Sequence, residues 1–167
     1  MSKKDLKLYL HELGKEQLED QIIDLYTRFK EVKEFYDFAF NPQENKLMEE
    51  CKFKISKEYF PVNGRKAKLR RSVAQKYIRH FKRLGVEASL IADIMLYHIE
   101  IAQTYTSEKE VKQEAFYKSM LKSFTEAVDY IDEHGIRKEF YSRLQRIADD
   151  ASAQNWMNWQ AFERSLR

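Results

Sequence analysis

One cysteine, two prolines and four glycines are spread over 167 residues. The lone Cys51 excludes an intramolecular disulfide and every zinc pattern built from several cysteines. It fits a reducing compartment. So few glycines and prolines cannot supply the many turns of a β sandwich or barrel. No run of 18 apolar residues occurs, so no membrane-spanning helix is expected. The opening Met1-Ser2-Lys3-Lys4-Asp5-Leu6-Lys7 is too charged for a secretory signal, and no apolar segment follows it. The expectation is a cytoplasmic protein without membrane association.

What is present is 43% hydrophobic and 14% aromatic residues, enough for a packed core and too aromatic for disorder. A chain of this length buries roughly 70% of its unfolded surface and needs no metal or disulfide to fold. The glycines and prolines (Gly14, Pro42, Pro61, Gly64, Gly85, Gly135) fall where helical periodicity stops. The segments between them predict helices over about 3–13, 15–30, 31–41, 43–58, 68–84, 87–105, 107–133 and 136–152, with a last short one near the C-terminus. Ser2 is the expected N-cap of the first, and Ser107-Glu108-Lys109-Glu110 reads as a capping box opening the seventh. The 87–105 helix is apolar nearly all round and is expected at the centre of a bundle. The fold expected is all-α: a single-domain bundle of about seven to nine helices, with 1–41 as an N-terminal helical sub-unit and 153–167 as a C-terminal docking helix.

Most catalytic and metal signatures are missing. None of His11, His80, His98 and His134 has a Glu three residues before it, which excludes the ferritin-like di-iron pattern. There is no P-loop, no dinucleotide-binding glycine motif, no His-Glu-x-x-His and no nucleophile elbow. No metal or cofactor is implied. Cys51, between Leu47 and Ile55, reads as a small buried hydrophobe, and His98 as a structural core histidine. Asp93 and Glu100 lie seven apart on one face of the central helix with Tyr97 between them. Paired carboxylates of this kind serve acid–base chemistry, or else mark a polar edge that meets a Lys or Arg from a neighbour.

Charge is unevenly distributed. From Tyr59 to Val86 there are nine Lys/Arg and no Asp or Glu, whereas 87–133 holds four basic and ten acidic residues. On 68–84, Leu69, Val73, Tyr77, Phe81 and Leu84 form one stripe, with Arg71, Lys76, Arg79, Lys82 and Arg83 opposite and Arg65, Lys66 and Lys68 just before. Such a row suits nucleic-acid or phosphate binding through counterion release. The competing reading is a solvated face, or one neutralised by the acidic helices that follow. Tyr59 and Phe60 are candidates for stacking on bases. Trp156, Trp159 and Phe162 suit a helix docking a protein partner or a second copy, or one closing the protein's own core.

The runs Lys3-Lys4-Asp5-Leu6-Lys7-x-Tyr9-Leu10, Leu25-Tyr26-x-Arg28-Phe29-Lys30-x-Val32-Lys33-Glu34-Phe35-Tyr36, Asn41-Pro42, Lys54-Ile55-Ser56-Lys57-Glu58-Tyr59-Phe60-Pro61, Gly64-Arg65-Lys66 and Arg70-Arg71-Ser72-Val73-Ala74 carry a resemblance. Together they resemble a family of small bacterial proteins of unknown function, over most of the chain. The resemblance implies a cytoplasmic, all-helical bacterial protein and transfers no activity. The first 30 residues are also similar to SAP-type DNA-binding helical pairs, without the glycine-centred loop of that motif. Three functions follow from the residues: a non-enzymatic helical interaction module, a nucleic-acid- or phosphate-binding protein using 65–83, and an enzyme using Asp93 and Glu100.

Overall fold

A computed structural model describes residues 1–167. It contains nine α-helices and no strand: α1 Lys3–His11, α2 Lys15–Arg28, α3 Lys30–Phe40, α4 Glu44–Tyr59, α5 Arg71–Leu84, α6 Ala88–Glu108, α7 Glu114–Glu133, α8 Arg137–Ala153 and α9 Trp159–Ser165. The all-α expectation and the helix count hold. No helix is long and apolar enough to cross a membrane. The chain divides into two compact units, Met1–Gln43 and Glu44–Arg167.

The first unit is α1–α3. Ser2 caps α1 as expected: its Oγ accepts the Asp5 N–H at 3.2 Å, and the Asp5 carboxylate accepts the Ser2 N–H at 2.8 Å. α2 and α3 pack together, joined through the extended Phe29. Tyr26 donates to the Asp37 carboxylate at 2.8 Å and sets its ring against Tyr36, which also meets Phe35 and Phe40. None of the side chains in these three helices is buried, and Ile23 and Phe40 are 62% and 85% exposed.

The second unit holds the entire buried core. α6 is its axis, packed against α4, α5, α7 and α8. Ile91, Ile94, Leu96, Ile99 and Ala102 are sealed on different sides of α6, as a helix apolar all round requires. Three helices end in the same turn. The N–H of Val86, Ile136 and Trp156 reaches back to the carbonyl of Phe81, Ile131 and Ala151, across a left-handed Gly85, Gly135 and Asn155. Two of these turns end in a buried apolar side chain, Val86 and Trp156.

The seventh helix starts later than its sequence suggests. α6 runs on to Glu108, and the Ser107 hydroxyl donates to the Thr104 carbonyl instead of capping a new helix. The connection to α7 is pinned by buried Val111, whose carbonyl accepts the Tyr117 hydroxyl at 2.8 Å. The buried stripe of α5 is Ala74, Ile78, Phe81 and Leu84, one residue around from the expected Leu69–Val73–Tyr77 series. Val73 and Tyr77 are only half-buried, on the flank of that stripe.

The C-terminal segment closes this core. Trp156 and Phe162 are fully buried, and the Trp156 ring packs edge-on against Phe116, Tyr117 and Phe162. The Trp156 indole N–H donates to Thr106 Oγ1 at 3.2 Å. Both rings therefore offer a partner no surface, which corrects the expectation of docking for Trp156 and Phe162. The turn at Asn155 directs Trp156 inward, and Trp159 keeps only a half-buried ring.

Candidate functional site

The basic segment becomes a groove through the way α4 hands over to α5. α4 ends at Tyr59, and Pro61 stops the helix from continuing. Asn63 and Gly64 then take consecutive left-handed conformations (φ 61° and 67°) and reverse the chain. The returning strand of loop is stapled to the last turn of α4. The Glu58 carbonyl accepts the N–H of Lys68 at 2.9 Å and of Leu69 at 3.1 Å. The Glu58 carboxylate takes both forks of the Arg70 guanidinium, at 2.7 and 2.8 Å. Arg70 is the main cause that holds the Glu58 carboxyl below its ordinary pKa.

The result is a groove of about 630 Å³ between the end of α4, the connecting loop and the outer side of α5. Lys54 and Lys57 come from α4, where their spacing of three puts them on one side. Arg65, Lys66, Lys68 and Arg70 come from the loop, and Lys76 and Arg79 from α5. Pro61, Val62, Val73 and Tyr77 supply apolar lining. Arg70 is the only one of these cations in an ion pair; Lys57 lies over the Phe53 ring, 4.1 Å from its centroid. Lys54, Arg65, Lys66, Lys68, Lys76 and Arg79 are exposed and engaged by no carboxylate.

Five of the eight expected residues thus meet in one groove: Arg65, Lys66, Lys68, Lys76 and Arg79. The other three lie elsewhere. Arg71 turns inward, donating to Ser123 Oγ at 2.7 Å and pairing with Glu126 on α7, which also accepts from Gln75. Its expected place on the outer face is corrected, because it sits in the first turn of α5 against α7. Lys82 stands over the Tyr130 ring at 4.2 Å, and Arg83 is exposed outside the groove. Three further cations, Lys54, Lys57 and Arg70, join those five in the groove. The signal for Lys54 and Lys57 is the basic C-terminal end of α4, followed by a loop short enough to fold back on it.

The acidic block leaves the groove alone. Glu126–Arg71 is the single ion pair between the 87–133 segment and the 65–83 segment. Asp93 and Glu100 are taken by Arg143 of α8. That guanidinium donates to Asp93 Oδ1 at 2.6 Å and to both oxygens of Glu100 at 2.6 and 2.7 Å. Lys52 of α4 meets the other Asp93 oxygen at 2.6 Å and lies 5.4 Å from the centroid of Tyr97. Burial pushes the Asp93 carboxyl up, but the hydrogen bonds from Lys52 and Arg143 outweigh it and hold the pKa below the ordinary value. These carboxylates tie α6 to α4 and α8.

Tyr59 is fully buried, which corrects its candidacy for base stacking; Phe60 keeps a half-exposed ring. Cys51 is sealed, and burial pushes its thiol up to about 12, so it holds no thiolate near neutrality. His98 is buried with both ring nitrogens unpartnered. No group of three or more His, Cys, Asp or Glu side chains is arranged to hold a metal ion.

Searches of curated proteins and of solved structures each find no match to the chain. A family model does match, over residues 1–167, and the chain belongs to that family of unknown function, DUF6155.

Proposed function

We propose that this protein binds nucleic acid through the phosphate backbone, along the groove between α4 and α5. One observation carries the reading: of the eight cations that line a single groove, six are exposed and engaged by no carboxylate. The pairing these six lack is used elsewhere in the same unit, where Arg71, Arg137 and Arg143 each meet a carboxylate. Unpaired cations set side by side repel one another, an arrangement favoured by a polyanion that neutralises them together. Each phosphate contact releases condensed counterions, so affinity falls steeply with salt.

The test is fluorescence anisotropy with labelled RNA and DNA oligonucleotides, titrated from low to physiological salt. Engagement of all six cations gives a log–log salt slope of about −4 on a single strand. The Lys66→Glu/Lys76→Glu/Arg79→Glu variant, folded by circular dichroism, is expected to lose binding. A wild-type protein that binds neither nucleic acid at low salt overturns the reading.

A second reading, compatible with the first, is a helical interaction module. It is supported by α1–α3, where Leu8, Ile23, Phe29 and Phe40 stand exposed and no side chain is buried. Scattered exposed apolar residues are ordinary, but a three-helix unit without a single buried one has surface to spare for association. Sedimentation over a range of concentrations tests this. Self-association that an Ile23→Asp/Phe40→Asp variant abolishes supports it, and a monomer at every concentration removes self-association from it.

A further inference from the structure

We infer that the nucleic acid is single-stranded, and that the protein holds one unpaired base in an aromatic cleft at the end of the cationic groove. The inference rests on the nucleic-acid reading of that groove. The cleft is a second cavity, of about 660 Å³, that borders the first through the shared lining residues Pro61, Arg65 and Lys66. Its distinctive walls are Phe60 and Tyr105, whose ring centroids lie 5.8 Å apart at an interplanar angle of 67°. Both rings are half-buried, so each keeps an accessible part.

The platform is anchored from below. Buried Tyr59 sets its ring edge-on to Tyr105 at 6.1 Å, and its hydroxyl points to the Met120 sulfur at 3.9 Å. The Phe60 N–H is held by the Ser56 carbonyl at 2.8 Å. Gly64 forms part of the rim, with open space where a side chain would project. Lys109 lies across the cleft, 5.4 Å from the Tyr105 centroid. Arg65, Lys66 and Lys109 thus line the same cleft as the aromatic pair.

This combination discriminates between nucleic acids. In a duplex the bases are stacked and paired, and their faces are closed to a side chain. In a single strand a base can turn out and lie on an aromatic ring while the flanking phosphates stay on the cations. Arg65 and Lys66, shared by the two cavities, sit where the backbone would pass from groove to cleft. A polyanion without bases, such as polyphosphate, fills only the groove.

The experiment compares three probes of similar length at one salt concentration: a labelled 12-nucleotide oligo(U), a 12-base-pair duplex, and inorganic polyphosphate as competitor. Single strand is expected to bind about tenfold tighter than duplex, the effect of one stacked base. Phe60→Leu keeps apolar volume but removes the ring. It should lower single-strand affinity about tenfold and leave duplex and polyphosphate binding unchanged. Phe60→Trp should retain single-strand binding, with indole fluorescence quenched by the bound base. The Lys76→Glu/Arg79→Glu variant should weaken all three. If single strand and duplex bind equally and Phe60→Leu changes neither, the aromatic cleft is overturned while the groove stands. If none of the three probes binds wild type, groove and cleft fall together.

Discussion

Glu58 receives Arg70 through both forks of its guanidinium, while the Glu58 main-chain carbonyl accepts the next two N–H groups to arrive, those of Lys68 and Leu69. One residue thereby fixes the whole return of the loop. It is also the only carboxylate lining the groove. By charge alone, removing it should tighten polyanion binding. As a latch it does the opposite, because it holds Arg65, Lys66 and Lys68 in register with Lys76 and Arg79. Glu58→Gln is therefore expected to weaken oligonucleotide binding several-fold at constant fold, measured by anisotropy. The carboxyl has a lowered pKa, so its stabilising contact is complete above about 4.5, its ordinary value, and is lost as the pH falls below that.

His98 sets a second pH dependence. Burial, assisted by nearby Arg71, depresses it from 6.5 to about 4, so it is neutral in the folded protein near neutral pH. Between these values the unfolded chain binds a proton that the folded chain does not. Stability is complete above pH 6.5 and falls as the pH drops toward 4, by about 3 kcal/mol in all. Urea unfolding at pH 7.5 and at pH 5 should show the loss. His98→Leu should flatten it, and should also add about 1 kcal/mol at pH 7.5 by removing an unpartnered polar ring from the core.

Arg143 clamps two carboxylates whose side chains are 25% and 31% exposed. Arg143→Met leaves Asp93 with Lys52 alone and Glu100 with no partner. The expected cost is about 2 kcal/mol, below the range for fully buried pairs because water reaches this site. Adding Glu100→Leu in the same chain should recover part of it. Chemical denaturation of the single and double variants measures both, and an Arg143→Met protein as stable as wild type would show that the clamp contributes no stability.

Every buried residue lies at or beyond Met48. A chain of residues 44–167 is expected to fold cooperatively, with a thermal midpoint within a few degrees of the full-length protein. The isolated 1–43 segment, with short helices and no buried side chain, is expected to be mostly unfolded in water by circular dichroism.

The helices of this chain are readable because glycine and proline mark the breaks and apolar residues recur at helical spacing between them. The central helix is the clearest, since no polar face interrupts it for long. What escapes the sequence depends on choices that packing makes. Leu69–Val73–Tyr77 and Ala74–Ile78 are both helical series on one segment, and only the placement of α6 decides which is buried. Ser107-Glu108-Lys109-Glu110 has the residues of a capping box, yet nothing local tells α6 to stop there. Asn155 takes the left-handed place that glycine takes in two other turns, and so hides the inward path of Trp156. The groove is half readable: its loop and α5 cations stand out as a charge run, whereas Lys54 and Lys57 join it only through the reversal at Asn63 and Gly64.

That reversal also gives the protein a clock. Asn63 is exposed and followed by a glycine with open space around it, so the Gly64 amide nitrogen is free to attack the Asn63 side-chain carbonyl. Ammonia leaves, and water opens the resulting succinimide to aspartate or isoaspartate. Ageing in warm buffer thus installs an anion one turn of loop from Arg65, in the region that depends most on positive charge. Aged protein should separate from fresh material on cation exchange and bind oligonucleotides more weakly, and an Asn63→Gln protein should keep its affinity through the same storage.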